Sequence, residues 1–457
     1  MSVQCFTQTI RLRRPASEVF AWHKRPGALA RLTPPWERVD VTRHDGIHTG
    51  ARVSLATKVG PVRVTWEVEH RDFEDGKQFR DVQLSGPFKS WEHAHLFEPE
   101  DAAASTLTED IRYELPGGAL GNWLAGGWTQ RKLARLFTYR HAVTRDDMEL
   151  RSLHGAVRSM QFLISGASGL VGRALVPFLE SQGHSVVKLV RRQPTGAGEI
   201  FWDPLRGELD PVKLRGVDAV IHLAGENVAG GRWTKERREA ILESRVKGTR
   251  TLVAALEKMR HRPFVFVSSA AIGIYGNRGE ERLTEEAAPG SGFLAEVCVA
   301  WEKEVAAAEE LGLRAVALRT GVVLTPAGGA LAKLLPAFWA GVGGRMGSGR
   351  QWWSWISMDD LVGALYHAVL DQRCAGPVNA VAPAPVTNAV FVETLARVLK
   401  RPGIVPVPAW VLRTALGDMA DEALLASVRV VPSRLNEAGY RFRHEKLEDA
   451  LRHVLGR

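Results

Sequence analysis

Three glycines stand in the run Gly166-Ala167-Ser168-Gly169-Leu170-Val171-Gly172. Glycines so spaced let the backbone turn tightly and come close to a ligand. A helix opening behind them offers unpaired N–H groups and a positive dipole end to an anion. That is the chemistry of a pyrophosphate cradle, and Gly166, Ser168, Gly169, Leu170, Val171 and Gly172 are its expected lining. The other reading is a tight turn that merely packs a helix on a sheet. Position favours the cradle: residues 161–165 form a short apolar run, and residues 170–181 have helical spacing. This is the strand–turn–helix context that gives a glycine motif its meaning.

A second position follows from the first. About 20 residues beyond such glycines, NAD-binding chains place an acid on the ribose hydroxyls. Here the strand over 185–190 ends in Arg191 and Arg192, with no acid. Forked guanidinium groups suit a 2′-phosphate, so the pair predicts NADP(H) rather than NAD(H), against the alternative of two solvated arginines. Leu223, Ala224 and Gly225 end the strand over 219–223, where small residues let an adenosine lie along the backbone. Ser268 and Ser269 end the next strand. Arg245 lies on a helix among Arg237, Arg238 and Lys247, and reads equally as a phosphate ligand or a solvated charge.

These residues need a scaffold. From 160 onward strand and helix alternate, with further strands expected over 263–267 and 315–324, which implies an α/β domain with a doubly wound parallel sheet. The first half has a different rhythm: a strand over 4–14, a short helix after Pro15, and alternating segments over 51–57, 62–73, 78–84, 91–97 and 106–115. A long helical pattern over 128–150 closes it. An antiparallel sheet gripping one helix is the natural packing, with a cavity between them. Residues 150–159 read as a linker.

At 457 residues the chain suits two or three domains. Apolar residues make up 45% and charged residues 24%, which excludes a wholly disordered or fibrous chain. The formal charge of +9 is spread without a like-charge block, so nucleic acid is not an expected partner. Three scattered cysteines form no disulfide framework or zinc motif. No run reaches the ~18 apolar residues of a membrane span, and the N-terminus lacks a signal-peptide core. A reduced, soluble, cytoplasmic protein is expected.

The second half resembles the extended short-chain dehydrogenase/reductase fold, and more narrowly its atypical, epimerase-like, NADP-binding branch. SGASGLVG from Ser165, HLAGENV from His222, SRVKGT from Ser244, SSAAIGIYG from Ser268, RTGVVL from Arg319 and GSGRQWWSWISMDDL from Gly347 carry the resemblance. It implies a Rossmann-type domain over 160–400 and a small C-terminal module over 401–457, serving as a substrate lobe. The family's cofactor contacts carry over to Arg191, Arg192, Leu223, Ala224, Arg245 and Val323. Residues 1–152 resemble the START and polyketide-cyclase-like helix-grip (SRPBCC) fold, through PASEVFAW from Pro15 and WEHAHLF from Trp91. That implies an apolar ligand in the N-terminal cavity. Superfamily analogy implies a homodimer.

The same resemblance exposes a gap. Ordinary members move a proton with a tyrosine and a lysine four residues later. None of the five tyrosines here has that lysine, and Leu294 and Cys298 take the places of the pair. Substitutes are Ser268, Ser269 and Tyr275, with Glu226 and Glu296 as acids; each also reads as a structural residue. Trp352, Trp353 and Trp355 read either as a pocket wall or as strand residues. His93 and His95 fall on one strand face, as two metal ligands would. No third ligand is identifiable, so ordinary strand histidines and no metal are expected. Two functions follow: an NADP(H)-dependent oxidoreductase or epimerase-like enzyme on a small carbonyl or hydroxyl compound, or a non-catalytic NADP(H)-sensing or apolar-ligand-binding protein.

Overall fold

The structure, a computed structural model, describes residues 3–59, 62–155 and 157–457. They form two compact units, one chiefly Met1–Val157, the other chiefly Arg158–Val176 with His184–Leu455. Among the described residues no helix is long and apolar enough to cross a membrane.

The first unit is a seven-stranded antiparallel sheet with a long helix, Gly118–Leu153. Its strands are β1 (Gln4–Leu12), β2 (Val39–His44), β3 (Arg52–Val59), β4 (Val62–Glu74), β5 (Gln78–Ser85), β6 (Ser90–Pro99) and β7 (Ser105–Glu114), in the order β1-β7-β6-β5-β4-β3-β2. Period-2 burial is clear in β6 and β7, where Trp91, Phe97, Leu107, Ile111 and Tyr113 turn inward. Sequence periodicity missed β2, because this edge strand is largely exposed and does not alternate. The helix starts ten residues before the expected 128. Its first turns carry Gly121, Gly126 and Gly127 and leave Leu120, Trp123 and Leu124 exposed, so no buried stripe announces them.

The second unit centres on an eight-stranded sheet. Its strands are β8 (Gln161–Ser165), β9 (Ser185–Val190), β10 (Glu199–Asp203), β11 (Glu208–Leu209), β12 (Ala219–His222), β13 (Val265–Ala271), β14 (Arg314–Thr320) and β15 (Gly376–Ala380). Their order is β11-β10-β9-β8-β12-β13-β14-β15, parallel except for the β10–β11 pair. Central strands are buried on both faces, as in Phe162–Leu163–Ile164 and Ala219–Val220–Ile221. The chain winds outward from β8 on one side and from β12 on the other. The β8/β12 boundary is therefore the switch point where such sheets open a crevice.

Residues 407–455 pack into this same unit. Glu422 caps the helix Phe293–Ala306: its carboxylate accepts from the N–H groups of Phe293 at 3.1 Å and Leu294 at 2.8 Å. A carboxylate at a helix N-terminus opposes the dipole and satisfies donors that would otherwise lack partners.

Candidate functional site

The glycine turn lies at the switch point. Gly166 leaves β8 with φ +71°, a left-handed conformation that glycine adopts without steric cost. A Cβ on Gly166 would lie 2.8 Å from the Ala224 nitrogen, and one on Gly172 only 2.4 Å from the Gly166 carbonyl oxygen. Glycine is required at both places: one lets β12 approach, the other lets the helix Leu170–Ser181 dock against its own turn. Gly169 N–H donates to the Gly166 carbonyl at 2.9 Å, while Ser168 and Gly169 stay exposed. A helix N-terminus behind an exposed turn of small residues fits a pyrophosphate. The Gly328–Gly329 turn packs on Leu170, and a Cβ on Gly329 would sit 4.0 Å from the Val323 carbonyl. Val323 is thereby brought close to the cradle.

Beneath the turn lies a buried pair that sequence reading missed. The Ser165 hydroxyl accepts from the N–H groups of Leu223 and Ala224, both at 3.2 Å, and so donates its own proton to His222 Nδ1 at 2.5 Å. The proton of the neutral ring therefore sits on Nε2. Burial, with Arg245 nearby, pushes the imidazole down to about 3. This pair pins the end of β12 to the end of β8, and it is what holds Leu223 and Ala224 at the crevice. Gly225 follows, packed against Arg245: a Cβ there would be 3.4 Å from the guanidinium carbon. Arg245 donates to the carbonyls of Glu226 (3.1 Å) and Ile241 (3.0 Å), and lies 5.0 Å over Trp301. It braces the β12 loop.

The two arginines after β9 differ in their contacts. Arg192 is committed to a forked pair with Glu199, at 2.8 and 2.6 Å, and Glu199 also accepts from the Thr195 N–H. These hydrogen bonds pull the Glu199 carboxyl down to about 2. An acid thus stands seven residues on in sequence, paired with an Arg192 side chain that is 55% exposed. Arg191 is exposed and has no ion-pair partner among the described residues.

The proposed proton carriers fare differently. Tyr275 was expected to present its hydroxyl to a substrate; it is instead fully buried, donating to Asn379 Oδ1 at 2.7 Å and accepting from Arg319 at 2.9 Å. Arg319 in turn forks onto Glu302, with both contacts at 2.8 Å. Burial raises the Tyr275 phenol, so it stays protonated. Ser268 is buried and donates to the Ser269 carbonyl at 3.0 Å. Ser269 is half-buried, with no side-chain hydrogen bond among the described residues. Glu226 pairs with Arg237 at 3.2 Å, and Glu296 is exposed. Where the tyrosine–lysine pair would stand, Leu294 packs against Gly273 and Cys298 is buried, its thiol pushed up to about 12 by burial. Trp353 and Trp355 are buried and donate to the Leu424 and Ala384 carbonyls, so these two are structural; Trp352 is half-buried, under Arg429.

In the first unit, the sheet gathers Asp81, Glu109 and His70 around His93 and His95. This corrects the reading of two histidines without a third partner. Buried polar side chains thus stand on the sheet's inner face beside the apolar ones, Trp91, Ile111 and Phe137. A cavity of about 550 Å³ is bordered by Pro15, Ser17, Glu74, Lys77, Glu98 and Asp101.

Comparison with known proteins agrees with the fold of both units. The profile described as the NAD dependent epimerase/dehydratase family matches residues 162–380. That of polyketide cyclase/dehydrase and lipid transport matches 3–149, and a domain of unknown function (DUF1731) matches 407–454. An epimerase family protein of Mycobacterium bovis is 42% identical over 288 residues, covering 63% of this chain and 95% of that protein. A crystal structure described as a nucleoside-diphosphate sugar epimerase from Corynebacterium glutamicum superposes with TM-score 0.81 at 33% identity, covering 99% of this chain and 90% of the other. The human epimerase family protein SDR39U1, solved with NADPH, gives TM-score 0.60 at 33% identity, over 65% of this chain and 99% of the other. Both resemblances read from the sequence hold: the chain belongs to the epimerase family proteins, a Rossmann-like branch of the short-chain dehydrogenase/reductases, and carries a polyketide-cyclase-like unit before it.

Proposed function

We propose that the second unit is an NADP(H)-dependent oxidoreductase or epimerase-like enzyme acting on a small hydroxyl or carbonyl compound. The observation that carries this reading is the glycine turn at the β8/β12 switch point, where a Cβ at 166 or 172 would meet backbone atoms, so that only glycine lets β12 and the following helix close on the turn. The human relative solved with NADPH supports the cofactor, and the sugar-nucleotide name of the Corynebacterium structure supports a hydroxyl-bearing substrate.

In this account the N–H groups at the start of the helix Leu170–Ser181 bind the pyrophosphate. Arg191 offers its unengaged guanidinium to the 2′-phosphate, and the Glu199–Arg192 fork stiffens the turn that presents it. The backbone of Leu223–Ala224, fixed by Ser165 and His222, borders the adenosine. NADP(H) supplies hydride chemistry at its nicotinamide. Ser269, the least buried of the three hydroxyls considered, donates a hydrogen bond to the substrate oxygen and so orients it. Because the tyrosine–lysine relay is missing, proton exchange falls to Ser269 and solvent. That same gap favours a second reading, an NADP(H)-sensing protein without turnover.

The test uses NADPH deuterated at C4, in both stereoisomers, incubated with the full chain and a small-molecule extract. Protein-dependent deuterium in a metabolite supports the oxidoreductase reading. Tight NADPH binding with no label, and no epimerised product by NMR, favours the sensor.

A further inference from the structure

The interior of the first unit holds a second constellation, unrelated to the cofactor cradle. Strand register sets it up: His70 on β4 pairs with Asp81 on β5, Asp81 with His93 on β6, and His95 on β6 with Glu109 on β7. Four adjacent strands thus deliver three imidazoles and two carboxylates to the inward face. His70, His93, His95 and Glu109 are all buried, the least buried being His95 at 7% exposure. His93 Nε2 lies 2.7 Å and His95 Nδ1 2.8 Å from one Glu109 oxygen, and His95 Nε2 lies 3.4 Å from Asp81.

Several of these contacts are close without being hydrogen bonds. His70 Nδ1 lies 2.6 Å from Asp81 Oδ1, and His95 Nδ1 2.8 Å from Glu109, yet neither nitrogen has hydrogen-bond alignment with any partner. The His70 ring is 4% exposed; its Nδ1 faces Asp81 out of hydrogen-bond alignment, and its Nε2 has no hydrogen-bond partner among the described residues. Buried polar atoms without a partner carry a desolvation cost. Beside the contacts that they make with one another, Asp81, His93 and His95 each bring one donor atom close enough to the others to serve a single ion. Ring packing also fixes the imidazoles: Phe79 stacks on His95 at 4.1 Å, and Phe137 meets His93 edge-on at 5.3 Å.

We propose that the helix-grip unit binds one divalent transition-metal ion, held by Asp81, His93 and His95, with Glu109 and His70 as the adjoining ligands. One ligand atom from each of Asp81, His93 and His95 lies within 4.8 Å of the others. Two ligand atoms on a tetrahedral zinc ion lie ~3.4 Å apart, so the side chains must draw in by up to about an ångström or slightly more, within reach of small χ rotations, to close the shell. Imidazole and carboxylate donors without thiolate select a borderline ion such as Zn²⁺, Co²⁺ or Fe²⁺ over Ca²⁺ or Mg²⁺, which take all-oxygen shells.

The experiment is a titration of the full chain, stripped with chelator and dialysed, first with Co²⁺ followed by visible absorption and then with Zn²⁺ as competitor. The expected result is one equivalent of Co²⁺ per chain with ligand-field bands, displaced by Zn²⁺, and a higher Tm with either ion. His95→Gln and Asp81→Asn should each weaken binding at least about tenfold, while NADPH binding to the other unit is unchanged. Absence of saturable binding to the folded wild-type chain would overturn the proposal, and would leave the constellation as an internal ion-pair network. Binding that persists undiminished in both variants would overturn it as well, since the ion would then lie elsewhere. If one variant fails to fold by circular dichroism, the other and the wild-type titration still decide.

Discussion

The Ser165 hydroxyl donates to His222 Nδ1 at 2.5 Å, fully buried, directly beneath the glycine turn. Fifty-seven residues separate the two in sequence, yet they join the two strands whose ends border the crevice. Because Ser165 also accepts from Leu223 and Ala224, one serine sets both the histidine tautomer and the backbone of the β12 loop. Ser165→Ala leaves the Ala224 N–H and His222 Nδ1 unsatisfied, while the Leu223 N–H keeps the Ser165 carbonyl at 3.2 Å, and should cost ~1–3 kcal/mol in chemical denaturation. NADPH affinity should fall with it. A stability within error of wild type would contradict this.

The pH dependence of the pair has a definite sign. His222 is depressed from 6.5 to about 3, chiefly by burial and secondarily by Arg245, the charged group facing it. The unfolded chain therefore takes up a proton that the folded chain refuses. Stability is lost as pH falls below about 6.5 toward 3 and is unaffected by this group above that range. In urea melts, His222→Gln should lose less stability than wild type between pH 7 and pH 4. Parallel pH profiles would contradict a buried neutral imidazole.

Arg191 and Arg192 should separate on mutation. Arg191→Ala is expected to lower NADPH affinity about tenfold or more, as befits a lost charge-assisted hydrogen bond, with NADH affinity unchanged. Arg192→Ala should cost less, because that guanidinium already faces Glu199. Fluorescence titration with both nucleotides measures this. A loss confined to Arg192→Ala would reverse the assignment.

Gly172→Ala places a Cβ 2.4 Å from the Gly166 carbonyl and 2.6 Å from Ala167 Cα, both backbone atoms of the cradle. The turn must open, so affinity for NADPH and NADH should fall together, by about tenfold or more. Calorimetry on the folded variant checks this. Unchanged affinity would mean that the nucleotide does not sit there.

Tyr275→Phe distinguishes a structural phenol from a reactive one. The change strips Asn379 and Arg319 of a buried partner, so ~1–3 kcal/mol of stability should go. Ser269→Ala should instead leave stability near wild type and lower turnover. An unchanged melting curve for Tyr275→Phe would contradict its assignment as an anchor.

Local signals were readable where local physics decides. The strand before the glycines, the helix after them and the strand ending at Val190 fall at the expected residues, because each is an uninterrupted apolar or periodic segment bounded by turn chemistry. What could not be read depends on register and long-range pairing. Glu199 lies on the strand beside Arg192, not on the strand that the ribose acid was sought on. Asp81 and Glu109 reach His93 and His95 only through sheet register. Tyr275 looked available because it follows a strand end, but Arg319 and Asn379, 44 and 104 residues away, claim its hydroxyl. Burial of β2 and of the first helical turns is too slight to leave an apolar stripe.

The most direct test of the central claim is calorimetric titration of the unaltered full chain with NADPH and with NADH under identical salt. The account predicts saturable binding of both, with NADPH tighter by about tenfold or more, a difference of ~1.4 kcal/mol or greater. Equal affinities would remove the 2′-phosphate site at Arg191, and absence of binding by either nucleotide would contradict the reading of the glycine turn itself.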